Sequence, residues 1–136
     1  MIVRNENSTE TDGRIIVPKG VNVWPHELET ARALAKAGHS VEFIRRSERK
    51  RETTADCLLD GIKWEMKAPN GAKLSLVEKN LRRGIKQCDK IIFDSHRVKR
   101  IPDKAIAREL AKWSTEIRGL QRLKFVNRHG EIIDIR

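Results

Sequence analysis

Three residues in one short stretch have the types and spacing to do chemistry together: Asp56, Glu65 and Lys67, in TADCLLDGIKWEMK at residues 54–67. Asp60-Gly61, set between two alternating runs, is a favoured pair for a two-residue type I′ hairpin turn. With those two as the loop, Leu59 pairs with Ile62, Cys57 with Trp64, Asp56 with Glu65 and Thr54 with Lys67. Alternation then sends Ala55, Cys57, Leu59, Ile62, Trp64 and Met66 to one apolar face. Thr54, Asp56, Leu58, Lys63, Glu65 and Lys67 take the other. Cross-strand partners have Cβ atoms ~4.5–5.5 Å apart, so two facing carboxylates repel unless a cation joins them. Lys67, two residues along on the same face, is one such cation. A divalent metal is the other, and an all-oxygen ligand set selects Mg²⁺ or Mn²⁺. A metal held there would bind a scissile phosphate and a water, make that water more acidic and stabilise the developing charge. Lys67 would orient the nucleophile or neutralise the phosphate. The competing reading is a solvated strand face with a Glu–Lys pair two residues apart.

The rest of the chain supplies the elements that must position this hairpin. Residues 1–13 are polar and read as a flexible tail, leaving 14–136 as a single domain. Arg14–Val17 reads as a short strand ended by Pro18-Lys-Gly20. Pro25 to Gly38 reads as a helix: proline suits its first turn, Glu27 and Glu29 complement the helix dipole there, and Gly38 stops it. Leu28, Ala31, Leu34 and Ala35 form its apolar stripe. Val41–Ile44 follows as a strand. After the hairpin, Leu74 to Cys88 reads as a second helix with Val77, Leu81, Gly84, Ile85 and Cys88 on one side. KIIFD at 90–94 reads as a buried strand. A third helix opens at Ile101-Pro102-Asp103 with the stripe Ile106, Leu110, Trp113, Ile117 and Leu120. Leu123–Val126 and Glu131–Ile135 close the chain as a hairpin. Strands alternating with helices predict an α/β fold, a mixed sheet flanked by helices.

Composition narrows the partners. The chain has 136 residues, with Lys plus Arg 29 against Asp plus Glu 19 and a formal charge of +10. That excess points to polyanions, nucleic acid first. No apolar run reaches the ~20 residues a membrane span needs. The N-terminus has no apolar segment of the secretory kind. RRSERKR at 45–51 offers Arg45, Arg46, Arg49, Lys50 and Arg51, with Lys63 nearby, as a phosphate-contacting edge; the alternative is a solvated linker. Cys57 and Cys88 lack zinc spacing and read as small apolar residues. His26, His39, His96 and His129 are scattered, and no pair has helical metal-motif spacing. Tyr is absent and aromatics are few, which argues against a base-stacking sheet.

The D…ExK pattern of Asp56 and Glu65-Met66-Lys67 on consecutive antiparallel strands resembles the signature of the PD-(D/E)xK nuclease superfamily. The resemblance implies a restriction-endonuclease-like αβββαβ core. It also implies a further acid from the preceding helix. PHELETARALAKAGHSVEFI resembles that helix and its following strand, which makes Glu27 the third metal ligand beside Asp56 and Glu65, with Glu29 the competing choice. Glu27, Asp56, Glu65 and Lys67 are then the catalytic set, and Gln87 is a polar neighbour from the second helix. Ala55 stands where the nominal motif has proline. HELETARALAKAGHSVEFI, TADCLLDGIKWEMKAPNG and QCDKIIFD together are similar to C-terminal toxin nucleases of bacterial contact-dependent growth inhibition systems, over about residues 24–95 plus the closing helix and hairpin. That likeness implies a metal-dependent tRNase and an acidic immunity protein as partner. It also implies action in the cytoplasm after delivery from a larger secreted protein. The rival readings are a DNA endonuclease of the same fold, a catalytically inactive nucleic-acid-binding module, and a basic protein that only docks on an acidic partner.

Overall fold

The structure is a computed structural model, and it describes residues 2–3, 13–44 and 56–136. The basic run Arg45, Arg46, Arg49, Lys50 and Arg51 lies outside the described residues, as do Thr54 and Ala55. The elements are β1 (Ile2–Val3), β2 (Ile15–Ile16), α1 (Pro25–Lys36), β3 (Val41–Phe43), β4 (Cys57–Leu59), β5 (Ile62–Lys67), α2 (Leu76–Gly84), β6 (Lys90–Asp94), α3 (Asp103–Glu116), β7 (Arg122–Val126) and β8 (Ile132–Asp134). The strands form one mixed sheet in sequence order. The pairs β2–β3, β5–β6 and β6–β7 are parallel; β1–β2, β3–β4, β4–β5 and β7–β8 are antiparallel. Two antiparallel steps separate β3 from β5, so β2, β3, β5, β6 and β7 all run the same way. Their carboxyl ends share one end of the sheet, the place where open α/β sheets bind ligands.

Helix α1 forms for the reasons its sequence suggests. Pro25 starts it, the Glu27 N–H donates to the Trp24 carbonyl at 3.0 Å, and the Glu27 carboxylate accepts from the Trp24 N–H at 3.1 Å. Ala31, Leu34 and Ala35 are buried, packing with Phe43, Trp64, Met66 and Ile92 on one face of the sheet. Helices α2 and α3 cover the opposite face, where Val77, Leu81, Ile106 and Leu110 pack with Ile91, Phe93, Leu123 and Phe125. Strands β5 and β6 are therefore covered on both faces, which is why KIIFD carries a continuous apolar run. Because α1 precedes a strand parallel to β2, its N-terminus lies at the carboxyl end of the sheet.

The hairpin register follows its turn. Asp60 has φ 51° and Gly61 φ 86°, both positive as a type I′ turn requires, and Leu59↔Ile62, Leu58↔Lys63 and Cys57↔Trp64 pair. Asp60 is braced from outside the hairpin: its carboxylate accepts from the Ser40 N–H at 2.8 Å and meets His39 Nδ1 at 2.6 Å. Three details depart from the expected pattern. Ile62, beside the turn, is exposed rather than on the apolar face. Helix α2 stops at Gly84, because the following N–H groups of Lys86 and Gln87 bond three residues back, to Arg83 and Gly84, and tighten the turn. Gln87 therefore lies beyond the helix, on the surface.

Because Gly61 sits at positive φ with open space around it, Gly61→Ala should cost about 1 kcal/mol in chemical denaturation. A loss near zero would contradict the turn assignment.

Candidate functional site

The ladder between β4 and β5 ends at Cys57↔Trp64, one residue short of the two carboxylates. Asp56 lies in a bend instead of a regular pair. Its N–H donates to the Trp64 carbonyl at 3.1 Å, and its own carbonyl accepts from the Ile44 N–H at 3.1 Å. Its carboxylate Oδ2 accepts from the Met66 N–H at 2.9 Å, taking the place a backbone carbonyl would hold in a continued ladder. The expected facing of Asp56 and Glu65 is thus reached by a side chain that closes the strand end.

Glu65 is enclosed, only 4% exposed, because it points from a central strand into the face covered by α2 and α3. Lys67 Nζ lies 3.4 Å from Glu65 Oε2. The Lys67 stem passes over α2 at Gly84: a Cβ there would stand 3.5 Å from Lys67 Cε and 2.9 Å from Ile91 Cδ1. The missing side chain at Gly84 is what lets α2 close on Ile91 of β6, with the Lys67 stem lying alongside. The other Glu65 oxygen, Oε1, is buried and has no hydrogen-bond partner among the described residues.

These surroundings disfavour charge on Glu65. Burial is the largest effect, and the Asp56 carboxylate adds repulsion while sharing a hydrogen bond with it. The Lys67 ammonium offsets only part, so the Glu65 pKa is pushed from 4.5 to about 8. Nearby, burial raises the Cys57 thiol, and the charges of Asp56, Glu65 and Glu27 raise it further, which leaves Cys57 an inert core residue.

Glu27 is buried and bonds the Trp24 N–H at the start of α1, on the other side of the sheet from Glu65. Its charge is felt by Cys57 and by His26, which places it at the same end of the molecule. Among the described residues no three of His, Cys, Asp and Glu form a group able to hold a metal, so Glu27 does not join Asp56 and Glu65 in one. Glu29 is directed elsewhere, its Oε2 lying 2.9 Å from His96 Nε2. Lys63 is exposed near the hairpin turn, four residues from Lys67 and at the far end of β5.

Do the residues fit a divalent cation? A buried carboxylate oxygen with no donor among the described residues, beside a second carboxylate, is a hard oxygen donor set of the kind that suits a divalent cation. Mg²⁺ is commonly held by one or two carboxylates and completes its shell with water and substrate phosphate. Asp56 and Glu65 would hold such an ion; Lys67 neutralises part of the same charge from the side.

The sheet end carries more than the motif. Asp94, at the carboxyl end of β6, is 2% exposed. Its Oδ2 accepts from Thr30 Oγ1 of α1 at 2.7 Å, and its Oδ1 accepts from the His96 N–H at 2.8 Å. The Arg97 guanidinium donates to the Ala68 carbonyl through Nε at 2.9 Å and Nη2 at 2.6 Å, tying the end of β5 to the loop after β6. Ser95 and Arg128 both bond Asp103 at the start of α3. Burial, then the Arg97 charge, lowers the pKa of His26. The histidines looked scattered in sequence; the fold gathers His26 and His96 at one end. An acid closing a buried strand was the available signal for Asp94.

A family model described as the contact-dependent growth inhibition CdiA C-terminal domain matches residues 52–132. Among solved structures, the CdiA-CT/CdiI toxin and immunity complex from Burkholderia pseudomallei is similar in fold, with a TM-score of 0.67 and 16% identity, covering 90% of this chain and 98% of that chain. No curated protein matches the chain.

The Glu65 shift has a thermodynamic consequence for the metal-free protein. Between pH 4.5 and about 8 the folded state holds a proton that the unfolded chain has released. The stability this contributes is complete below pH 4.5 and is lost as pH rises through about 8. Thermal unfolding in EDTA should show Glu65→Gln gaining on the native protein as pH rises across that window. Parallel curves for the two proteins would contradict the assigned environment.

Proposed function

Since the chain belongs to the contact-dependent growth inhibition CdiA C-terminal domain family, we propose that it is a toxin domain of a larger exported protein and acts as a metal-dependent nuclease. The observation that carries the reading is the Asp56–Glu65–Lys67 cluster. Two carboxylates crowd each other in a buried position, one oxygen has no donor among the described residues, and a lysine stands beside them. A structural sheet gains nothing from that repulsion; a phosphodiesterase does. The element order α1–β3–β4–β5–α2–β6 and the D…ExK spacing support placing the core with restriction-endonuclease-like nucleases.

Asp56 and Glu65 would hold Mg²⁺ or Mn²⁺, which when bound supplies a Lewis acid for the phosphate and a more acidic water. The chain's own groups do the rest. Asp56 is held by the Met66 N–H, which fixes the direction of its carboxylate. Lys67, held between Glu65 and α2, brings an ammonium to the phosphate or to the attacking water. The enclosing helices keep bulk water from screening these charges. The net charge of +10 draws nucleic acid to the molecule. RNA, and tRNA within it, is the favoured substrate; a DNA endonuclease of the same architecture is the second reading. The fold's likeness to a chain of a toxin and immunity complex supports an immunity protein as partner; the charge of +10 favours an acidic one, and the cytoplasm of a sensitive cell is the proposed setting.

Incubation with total RNA and with plasmid, in Mg²⁺, Mn²⁺ or EDTA, tests this. Cleavage should require the metal, and Asp56→Ala and Lys67→Ala should each lose at least about a hundredfold in rate. Cleavage that survives EDTA, or that both variants retain, refutes the site.

A further inference from the structure

Helix α2 and the turn after it carry four exposed cations, Lys79, Arg82, Arg83 and Lys86. One of them is already matched. Arg82 Nε donates to Glu78 Oε2 at 2.8 Å, and its guanidinium lies 5.4 Å from the centre of the Trp113 ring on α3. Lys79, Arg83 and Lys86 meet no carboxylate among the described residues. They stand four and then three residues apart, which makes them neighbours along one side of the helix. The turn beyond α2 keeps them in line, because the Lys86 N–H bonds the Arg83 carbonyl at 3.3 Å, a closure that stacks side chains three apart. Like charges at these spacings repel, so the row gives the helix no stability of its own.

The contacts of α2 fix which way the row faces. Val77, Leu81 and Gly84 are buried beneath the helix. Arg82 leans to one side, over Trp113 of α3. With ~100° between successive residues, Lys79 and Lys86 stand on the outer crest and Arg83 on the flank away from α3. Helix α2 joins β5 to β6 and α3 joins β6 to β7, in a sheet ordered β4, β5, β6, β7. The flank away from α3 therefore lies toward β5 and β4, where Glu65 and Asp56 stand. A distance ties the helix to the motif: a Cβ on Gly84, the residue after Arg83, would be 3.5 Å from Lys67 Cε. The row is thus on the same face of the sheet as Glu65 and Lys67. Its chemistry selects the partner. Protein interfaces have a core depleted of charge. Among the described residues the exposed large apolar side chains are Trp24, Ile62, Leu74 and Ile133, none of them on α2. A row of unmatched cations without apolar neighbours suits a chain of phosphates, and an arginine can grip one phosphate through two N–H groups.

We propose that Lys79, Arg83 and Lys86 form a docking edge for the phosphate backbone of RNA, with Arg83 holding the phosphate nearest to Lys67. The proposal rests on the nuclease reading for its setting, since the edge seats the substrate of that site.

Anisotropy of a fluorescently labelled tRNA, in EDTA and over a range of salt, measures the docking without cleavage. Each phosphate contact contributes ~0.7–0.9 to the slope of log affinity against log salt. Lys79→Gln, Arg83→Gln and Lys86→Gln combined should weaken binding and flatten that slope by about two. Arg83→Gln alone should flatten it by roughly one. Arg82→Gln should change it little, because Glu78 already meets that charge. An unchanged slope in the triple variant, or equal effects of Arg82→Gln and Arg83→Gln, overturns the docking edge. Labelled polyglutamate stands in for an acidic protein. The triple variant should lose less affinity for it than for tRNA, and an equal or larger loss overturns the assignment to RNA. In Mg²⁺, Arg83→Gln should raise KM for tRNA cleavage more than it lowers kcat; a fall in kcat at unchanged KM contradicts a docking role. A native protein that binds tRNA with these slopes and cleaves no nucleic acid refutes the nuclease reading and supports the docking edge.

Discussion

The structure turns on one electrostatic constraint: Asp56 and Glu65 are forced together where little water can reach them. Glu65 has no alternative direction, because β5 is central and α2 and α3 cover its face. Asp56 cannot withdraw, because its carboxylate completes the hydrogen bonding of Met66 at the point where the β4–β5 ladder ends. Like charges in such a place must be neutralised by a proton, a lysine or a metal. Lys67 supplies part of that, and the rise of Glu65 to about 8 shows how much is left over.

Much of the surrounding fold serves to hold that pair. The type I′ turn at Asp60-Gly61 sets the register that brings Glu65 level with the bend at Asp56. Gly84 lets α2 close on Ile91 beside the Lys67 stem. Arg97 clamps the carbonyl of Ala68, so the end of β5 cannot splay away from β6. The parallel run of β5, β6 and β7 then delivers the ends of three buried strands to one edge, with the start of α1 above it.

The parts legible in the sequence are those set by local rules. Turn chemistry gave the hairpin pairs, and period-2 alternation put Cys57, Leu59, Trp64 and Met66 in the core. Helical spacing predicted the buried stripe of α1 and the Ile106 and Leu110 face of α3. What depended on long-range packing was not legible. Asp56 was expected in a regular pair, because sequence does not reveal that a side chain will replace a backbone acceptor. Glu27 was expected over the Glu65 face, yet α1 covers the other one; which face a helix takes is a property of the whole sheet. The Thr30–Asp94–His96–Glu29 chain joins residues up to 67 positions apart in sequence (from Glu29 to His96), and no spacing rule connects them. The basic run from Arg45 to Arg51 lies outside the described residues, so its role stays an expectation.

The central claim is that the crowded carboxylates are a cation site, and proton release on metal binding tests it most directly. Burial and the Asp56 charge raise the Glu65 pKa and favour a proton there in the metal-free protein, and a divalent ion bound at the pair would displace it. Titration calorimetry with Mg²⁺ or Mn²⁺, in two buffers of different ionisation enthalpy, reads that proton. The account predicts binding with release of about one proton, and weaker binding without release in Glu65→Gln. Binding with no proton released, or binding that Glu65→Gln leaves unchanged, would contradict it.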